Sequence, residues 1–139
     1  MTSIKVRRFD GKFRFLQHSE YKDVTIREGE SLSEDSIDIQ GYHYMAIVMP
    51  AEWTNAKITF QASYNPDNGT FKDVYDDEGN EIEISVSADK VVVLAHISEK
   101  TKDSANLLGP LHFIKLRSGT SGTPVTQGDD RHLRVMLSR

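Results

Sequence analysis

The sequence predicts an all-β fold, an antiparallel β-sandwich, and three observations carry that expectation. Apolar and polar residues alternate at period two in Lys57–Tyr64 and again in Glu81–Ser87, the signature of half-buried strands. Turn chemistry recurs at short intervals, as Asn-Pro-Asp-Asn-Gly at 65–69 and Asp-Asp-Glu-Gly-Asn at 76–80. No stretch reads as a helix.

Along the chain, residues 5–17 alternate Phe13 and Phe15 with Lys12 and Arg14 beyond an Asp10-Gly11 turn. That suits either a strand pair or an extended arm that orders against a partner. Residues 24–41 read as a strand, an acidic loop and a short strand. Tyr42–Met49 is a strand stopped by Pro50, which lacks an amide donor and disfavours helical geometry in the residue before it. In Lys57–Tyr64 the residues Ile58, Phe60 and Ala62 are expected inside, with Lys57, Thr59, Gln61 and Ser63 outside.

The Asn68-Gly69 pair tolerates the positive φ of a tight hairpin, so 70–76 is expected to fold back on the strand before it. Ile82, Ile84 and Val86 then alternate with Glu81, Glu83, Ser85 and Ser87. The continuous β-branched run 90–97 suits a strand buried on both faces. Residues 111–119 and 131–139 supply two more strands, with Leu133, Val135 and Leu137 alternating with Arg134, Met136 and Ser138.

Counted from Phe13 this gives eight to ten strands, with no internal repeat and no low-complexity linker, the content of a jelly-roll-type sandwich. The expected organisation is a basic N-terminal segment at 1–27, arm or edge strands, followed by the sandwich at 28–139. The expected core comprises Ile47, Ile58, Phe60, Ile82, Ile84, Val92, Leu94, Phe113, Leu133 and Val135.

The totals exclude several classes. A chain of 139 residues fits one core, and 37% hydrophobic against 27% charged residues is too apolar for a disordered chain. Without cysteine there is neither a disulfide framework nor a thiolate metal site. The longest strongly apolar run, Val91–Ala95, is far short of the roughly 20 residues that span a bilayer, and the first residues lack a signal-peptide core. No membrane association is expected, and synthesis in a cytoplasm is.

Charge is uneven: residues 1–27 carry seven Lys/Arg against three Asp/Glu, 28–103 five against sixteen, and 104–139 five against two. Basic ends around an acidic middle either steer docking onto an oppositely charged surface or form a solvated exterior.

Candidate chemistry is sparse. The five histidines, His18, His43, His96, His112 and His132, lie one to a segment, without spacing that brings two onto one metal. Asp73, Asp76, Asp77, Glu78, Asn80 and Glu81 offer clustered oxygens but lack the order of a calcium loop, so a hairpin turn is the better reading. Ser118, Thr120 and Ser121 lie among glycines that match neither a nucleophile elbow nor a phosphate loop, which reads as a flexible polar loop. Glu81 and Glu83 are expected to point outward into water. Trp53, in a loop between two strands, is read as a plug at one end of the sandwich ahead of a sugar-stacking ring. No enzyme, cofactor or nucleic-acid signature emerges.

Two blocks carry a resemblance. In Gly41–Ile82 a strand ending in Met49-Pro50 is followed by Trp53-Thr54, the strand Thr59-Phe60-Gln61-Ala62-Ser63 and the turn Tyr75-Asp-Asp-Glu-Gly-Asn-Glu81. In Ile114–Leu137, Arg117-Ser-Gly-Thr-Ser121 precedes Pro124-Val125-Thr126-Gln127 and a final strand. Together they resemble a family of small proteins encoded in the structural gene clusters of tailed bacteriophages and prophages.

The resemblance implies a β-sandwich virion protein, assembled in the bacterial host cytoplasm and working by contact. The simplest role is a capsid decoration, or cement, protein bound to the major capsid protein as a homo-oligomer, a trimer by analogy. The alternative is a tail or baseplate carbohydrate-binding module using Trp53, Tyr42, Tyr44 and Tyr64, although Tyr42 and Tyr44 occupy strand positions expected to be packed. Residues 1–40 match nothing in the family. Within them Arg7, Arg8, Lys12, Phe13, Arg14 and Phe15 are the candidate partner-binding residues.

Overall fold

The structure, a computed structural model, describes residues 19–67, 70–96, 108 and 111–139. Among the described residues nine strands form and no α-helix: β1 (Ser19–Ile26), β2 (Ile37–Asp38), β3 (Tyr44–Val48), β4 (Ile58–Ser63), β5 (Lys72–Asp73), β6 (Glu83–Ile84), β7 (Val91–His96), β8 (Phe113–Ser118) and β9 (Arg131–Ser138). A front sheet has the order β1-β9-β3-β7 and a back sheet the order β2-β8-β4-β5, with β6 beside β5 along the same side of β4. Every pairing is antiparallel.

The chain crosses from one sheet to the other at each step from β1 to β4, and again from β6 through β9. This interleaving is the jelly-roll arrangement expected from the sequence.

Local chemistry places the turns. Pro50 ends β3, its carbonyl accepts from Asp89 N at 2.8 Å, and Asp89 takes φ 60, a left-handed geometry that aspartate tolerates. Asn65 Oδ1 accepts from Asp67 N at 3.0 Å and opens the turn toward β5. The Asn68-Gly69 pair itself lies outside the described residues. At 76–80, Asp76 Oδ1 accepts from Glu78 N and Asn80 N at 2.9 Å each, and Gly79 supplies φ +85.

Facing side chains of the two sheets fill the core: Val24, Ile26, Met45, Ile47, Leu94, Leu133, Val135 and Leu137 from the front, and Ile37, Ile58, Phe60, Ile84, Ile114 and Leu116 from the back. Of the ten expected core residues, eight are buried; Val92 is half-buried against the core and Phe113 half-buried on the other face of β8. The β8 register puts Ile114 and Leu116 inside instead.

The strand buried on both faces is β8, between β2 and β4, and not β7. β7 ends the described front sheet and leaves Val91 and Val93 exposed, because nothing described covers that side. Residues 19–26, the end of the basic segment, form the opposite edge strand and contribute Val24 and Ile26 to the core.

Candidate functional site

The outward side chains of the front sheet line up across its four strands. Tyr21 on β1 lies opposite Met136 on β9, Met136 opposite Ala46 on β3, and Ala46 opposite Val93 on β7. The next level repeats the pattern with Asp23, Arg134, Val48 and Val91. Tyr21 (57% exposed), Tyr44 (46%), Val91 (58%), Val93 (75%) and Met136 (45%) all belong to this face, which holds five of the seven large hydrophobic residues exposed among the described residues.

Among the described outward side chains of these strands, charge is confined to one pair. Arg134 donates to both oxygens of Asp23, at 2.8 and 3.3 Å, and its guanidinium lies 4.1 Å from the Tyr21 ring centroid. The hydrogen bond from Arg134 holds the Asp23 carboxyl below its ordinary range. The described part of this face is thus largely apolar and aromatic, with its one charged pair neutralised. The sequence predicts Tyr44 to be packed. It is exposed because the alternation of β3 sends Met45 and Ile47 inward and Tyr44 and Ala46 outward.

The back sheet differs. Arg117, on β8, is buried on the outer face and donates to Glu81 Oε2 at 3.1 Å, to Thr59 Oγ1 at 3.4 Å and to Asp73. Glu81 also accepts from the amide and hydroxyl of Ser121, each at 3.1 Å, and the Tyr75 hydroxyl lies 3.0 Å from Ser121 Oγ. Thr59 donates to Gly119 O at 2.7 Å. The hydrogen bond from Arg117 lowers the Asp73 carboxyl below its ordinary range.

This network corrects three expectations. Thr59 is buried, Glu81 does not share the solvated setting of Glu83, and the segment around Ser121 is no flexible loop. The loop from Gly119 folds back over Arg117, closed by Gly119 N to Lys57 O at 2.7 Å and Val125 N to Ser118 O at 2.9 Å. Ser118, Thr120 and Ser121 all hydrogen-bond to protein groups, which makes the loop a clamp. Glu83 is exposed as expected and pairs with Lys57 at 2.7 Å.

Gln127 closes the Pro124–Gln127 block of the sequence but has no role assigned from it. Fully buried, it accepts from Thr54 N (2.8 Å) and Arg131 Nε (3.0 Å) and donates to Thr54 O (3.0 Å) and Ser118 Oγ (2.7 Å). No sequence pattern marks a glutamine as such a hub. Ser118 is committed to this network.

The remaining candidates are dispersed. His132 Nδ1 lies 3.0 Å from Thr25 Oγ1, and His112 meets Tyr64 edge-on at 5.7 Å. Asp76 serves its own turn, and among the described residues no three His, Asp or Glu side chains converge. Trp53 packs against the core and donates Nε1–H to Ala56 O at 3.1 Å, the geometry of a plug. Tyr42 is buried with its hydroxyl donating to Glu20, Tyr44 stands on the front face, and Tyr64 borders a groove of about 650 Å³ with Leu111 and His112. The four rings proposed for sugar stacking thus share no surface. Arg7, Arg8, Lys12, Phe13, Arg14 and Phe15 lie outside the described residues.

No protein-family model matches the chain, and no curated protein does. Among solved structures the chain is similar to the SPBc2 prophage-derived protein YomS, with a TM-score of 0.47 and 10% sequence identity over 91% of this chain and 100% of that one.

Proposed function

We propose that this chain is a bacteriophage virion structural protein that acts by protein–protein contact, most simply a capsid decoration protein that binds the major capsid protein and stabilises the assembled head. The observation that carries this reading is the neutral, apolar face formed by Tyr21, Tyr44, Val91, Val93 and Met136 on a jelly-roll domain. The two blocks at Gly41–Ile82 and Ile114–Leu137 supply the virion context through their resemblance. Weak contacts repeated over a symmetric shell give avidity without one tight site, so the role requires no catalytic group.

Attachment to the shell is assigned to the basic residues Arg7, Arg8, Lys12 and Arg14 with Phe13 and Phe15, whose alternation lets an extended segment lay rings on a partner while its cations meet carboxylates. The test is co-sedimentation with intact heads. The full chain is expected to sediment with heads and dissociate as salt rises, and a chain lacking residues 1–11 is expected to stay folded but bind less. Failure to sediment at any salt concentration, or turnover of an ester, glycoside or phosphate substrate that one substitution abolishes, would overturn the reading. A carbohydrate-binding role is disfavoured by the dispersal of Trp53, Tyr42, Tyr44 and Tyr64.

A further inference from the structure

We propose that the outer face of the front sheet seats a second copy of this chain, packed face to face about a two-fold axis. The inference rests on reading that face as a protein contact surface and names its occupant.

Charge selects the occupant. The chain carries a formal net charge of −4, so two copies repel in most orientations. The hairpin side of the back sheet, with exposed Asp77, Glu78 and Glu83, is a poor place for a copy to meet itself. On the front face Asp23 and Arg134 neutralise each other, and the other outward strand residues with described side chains include no Lys, Arg, Asp or Glu. A strongly charged partner gains little there, whereas an identical face meets no like-charge penalty.

Shape agrees. Met136 and Ala46 sit side by side on the two middle strands, a long flexible side chain beside a methyl. A two-fold axis through the boundary between β9 and β3 lays each copy's Met136 over the other copy's Ala46, a protrusion into a dip on both sides. The same patch serves both copies, as a two-fold interface demands, and sheets stack in this way about 10 Å apart.

Area agrees as well. Since a buried aromatic removes roughly 150–250 Å² from water, the exposed parts of Tyr21, Tyr44, Val91, Val93 and Met136 amount to on the order of 500 Å². Adding the rim of Asp23, Arg134 and His132 approaches the ~800 Å² per partner of a standard interface. Tyrosine, methionine and arginine are also the types enriched at such interfaces. The unit is therefore a pair, not the trimer that the family resemblance implies.

Sedimentation velocity on the full chain and on Met136→Glu and Val93→Glu variants tests this, with thermal melts run in parallel. Both sites are exposed, so the variants are expected to melt like the parent. The parent is expected at twice the chain mass and both variants at the chain mass. A parent that stays at the chain mass, forms a trimer, or forms a pair that survives both substitutions overturns the proposal. If Met136→Glu melts early, Val93→Glu on the outermost strand decides alone. Head co-sedimentation separates the two readings: a pair that ignores heads removes only the capsid role, and a single copy that binds heads removes only the pair.

Discussion

Arg117 donates to Glu81 at 3.1 Å with the two side chains only 7% and 10% exposed, so a full ion pair lies almost out of water beneath the loop that begins at Gly119. Asp73 and Thr59 complete the set of acceptors around the guanidinium. Such a pair binds hairpin, strand and loop into one unit, and its value shows when one member is removed.

Replacing Arg117 by Ala strands Glu81 without its cation, and breaking a buried pair from one side costs about 3–5 kcal/mol. Urea unfolding of the variant is expected to show a loss of that size. A loss below about 1 kcal/mol would assign the pair to the class of solvated surface bridges.

The same network sets the acid limit. The pKa of Asp73 is depressed in the folded state by Arg117, so its contribution is present above the unfolded carboxylate value and is lost as pH falls through the folded one. Asp23, held by Arg134, Glu34, held by Arg27, and Asp130, held first by the Glu28 amide, shift in the same direction. Melting temperature is expected to decline below about pH 4, and Asp73→Asn is expected to flatten that decline. Added salt weakens the exposed Arg27–Glu34 and Arg134–Asp23 pairs first.

Tyr42 sets an alkaline limit. Burial first, then its hydrogen bond to Glu20 and that residue's charge, push the phenol up to about 12. With the folded value above the unfolded value of about 10, stability is intact below that pH and is lost as pH rises toward the folded pKa. Tyr42→Phe is expected to remove this limb from a pH series of thermal melts.

Gly119 has φ +89, and a Cβ there would lie 2.6 Å from both Thr123 O and Val125 N. Both obstacles are backbone atoms of the clamp loop, which cannot rotate aside. Gly119→Ala is expected to cost more than the roughly 1–3 kcal/mol of a non-glycine left-handed residue, measured by chemical unfolding. Gly122→Ala, with nothing near its Cβ, is the matched control.

Phe60 is wholly buried at the centre of β4, and truncating it to Ala is expected to cost about 3–5 kcal/mol. A change within error would mean the opposite face of β4 fills the core.

Most of the fold was legible because polar residues flag the outward positions of a strand. β4, β6 and β9 declare their inner faces through Ile58 and Phe60, Ile84, and Leu133, Val135 and Leu137. The rule fails where outward residues are not polar. In β7 a run of valines looks the same whether both faces are covered or one is bare, so the sequence predicts Val91 and Val93 buried where the structure exposes them. It fails in the opposite sense in β8. Lys115 and Arg117 look solvated, yet Arg117 is covered by acids that come from Asp73 and Glu81, dozens of residues away. The site was illegible for the same reason: Tyr21, Ala46, Val93 and Met136 come from four distant strands and meet only in the assembled sheet.

The position of β9 governs how the protein must be made. It pairs with β1 along its whole length on one side and with β3 on the other, Val24 lying opposite Leu133 and Ile47 opposite Val135. During translation β1 and β3 leave the ribosome long before their shared neighbour, and the inner faces of both remain without it until the codons for 131–138 have been read. The front sheet therefore closes only after synthesis of the rest of the domain, late and over large sequence separations, which makes folding slow and exposes the nascent chain to aggregation. A stop codon just before Arg131 would not yield a smaller domain. It would yield β1 and β3 with no strand to join them, a substrate for chaperones and proteases.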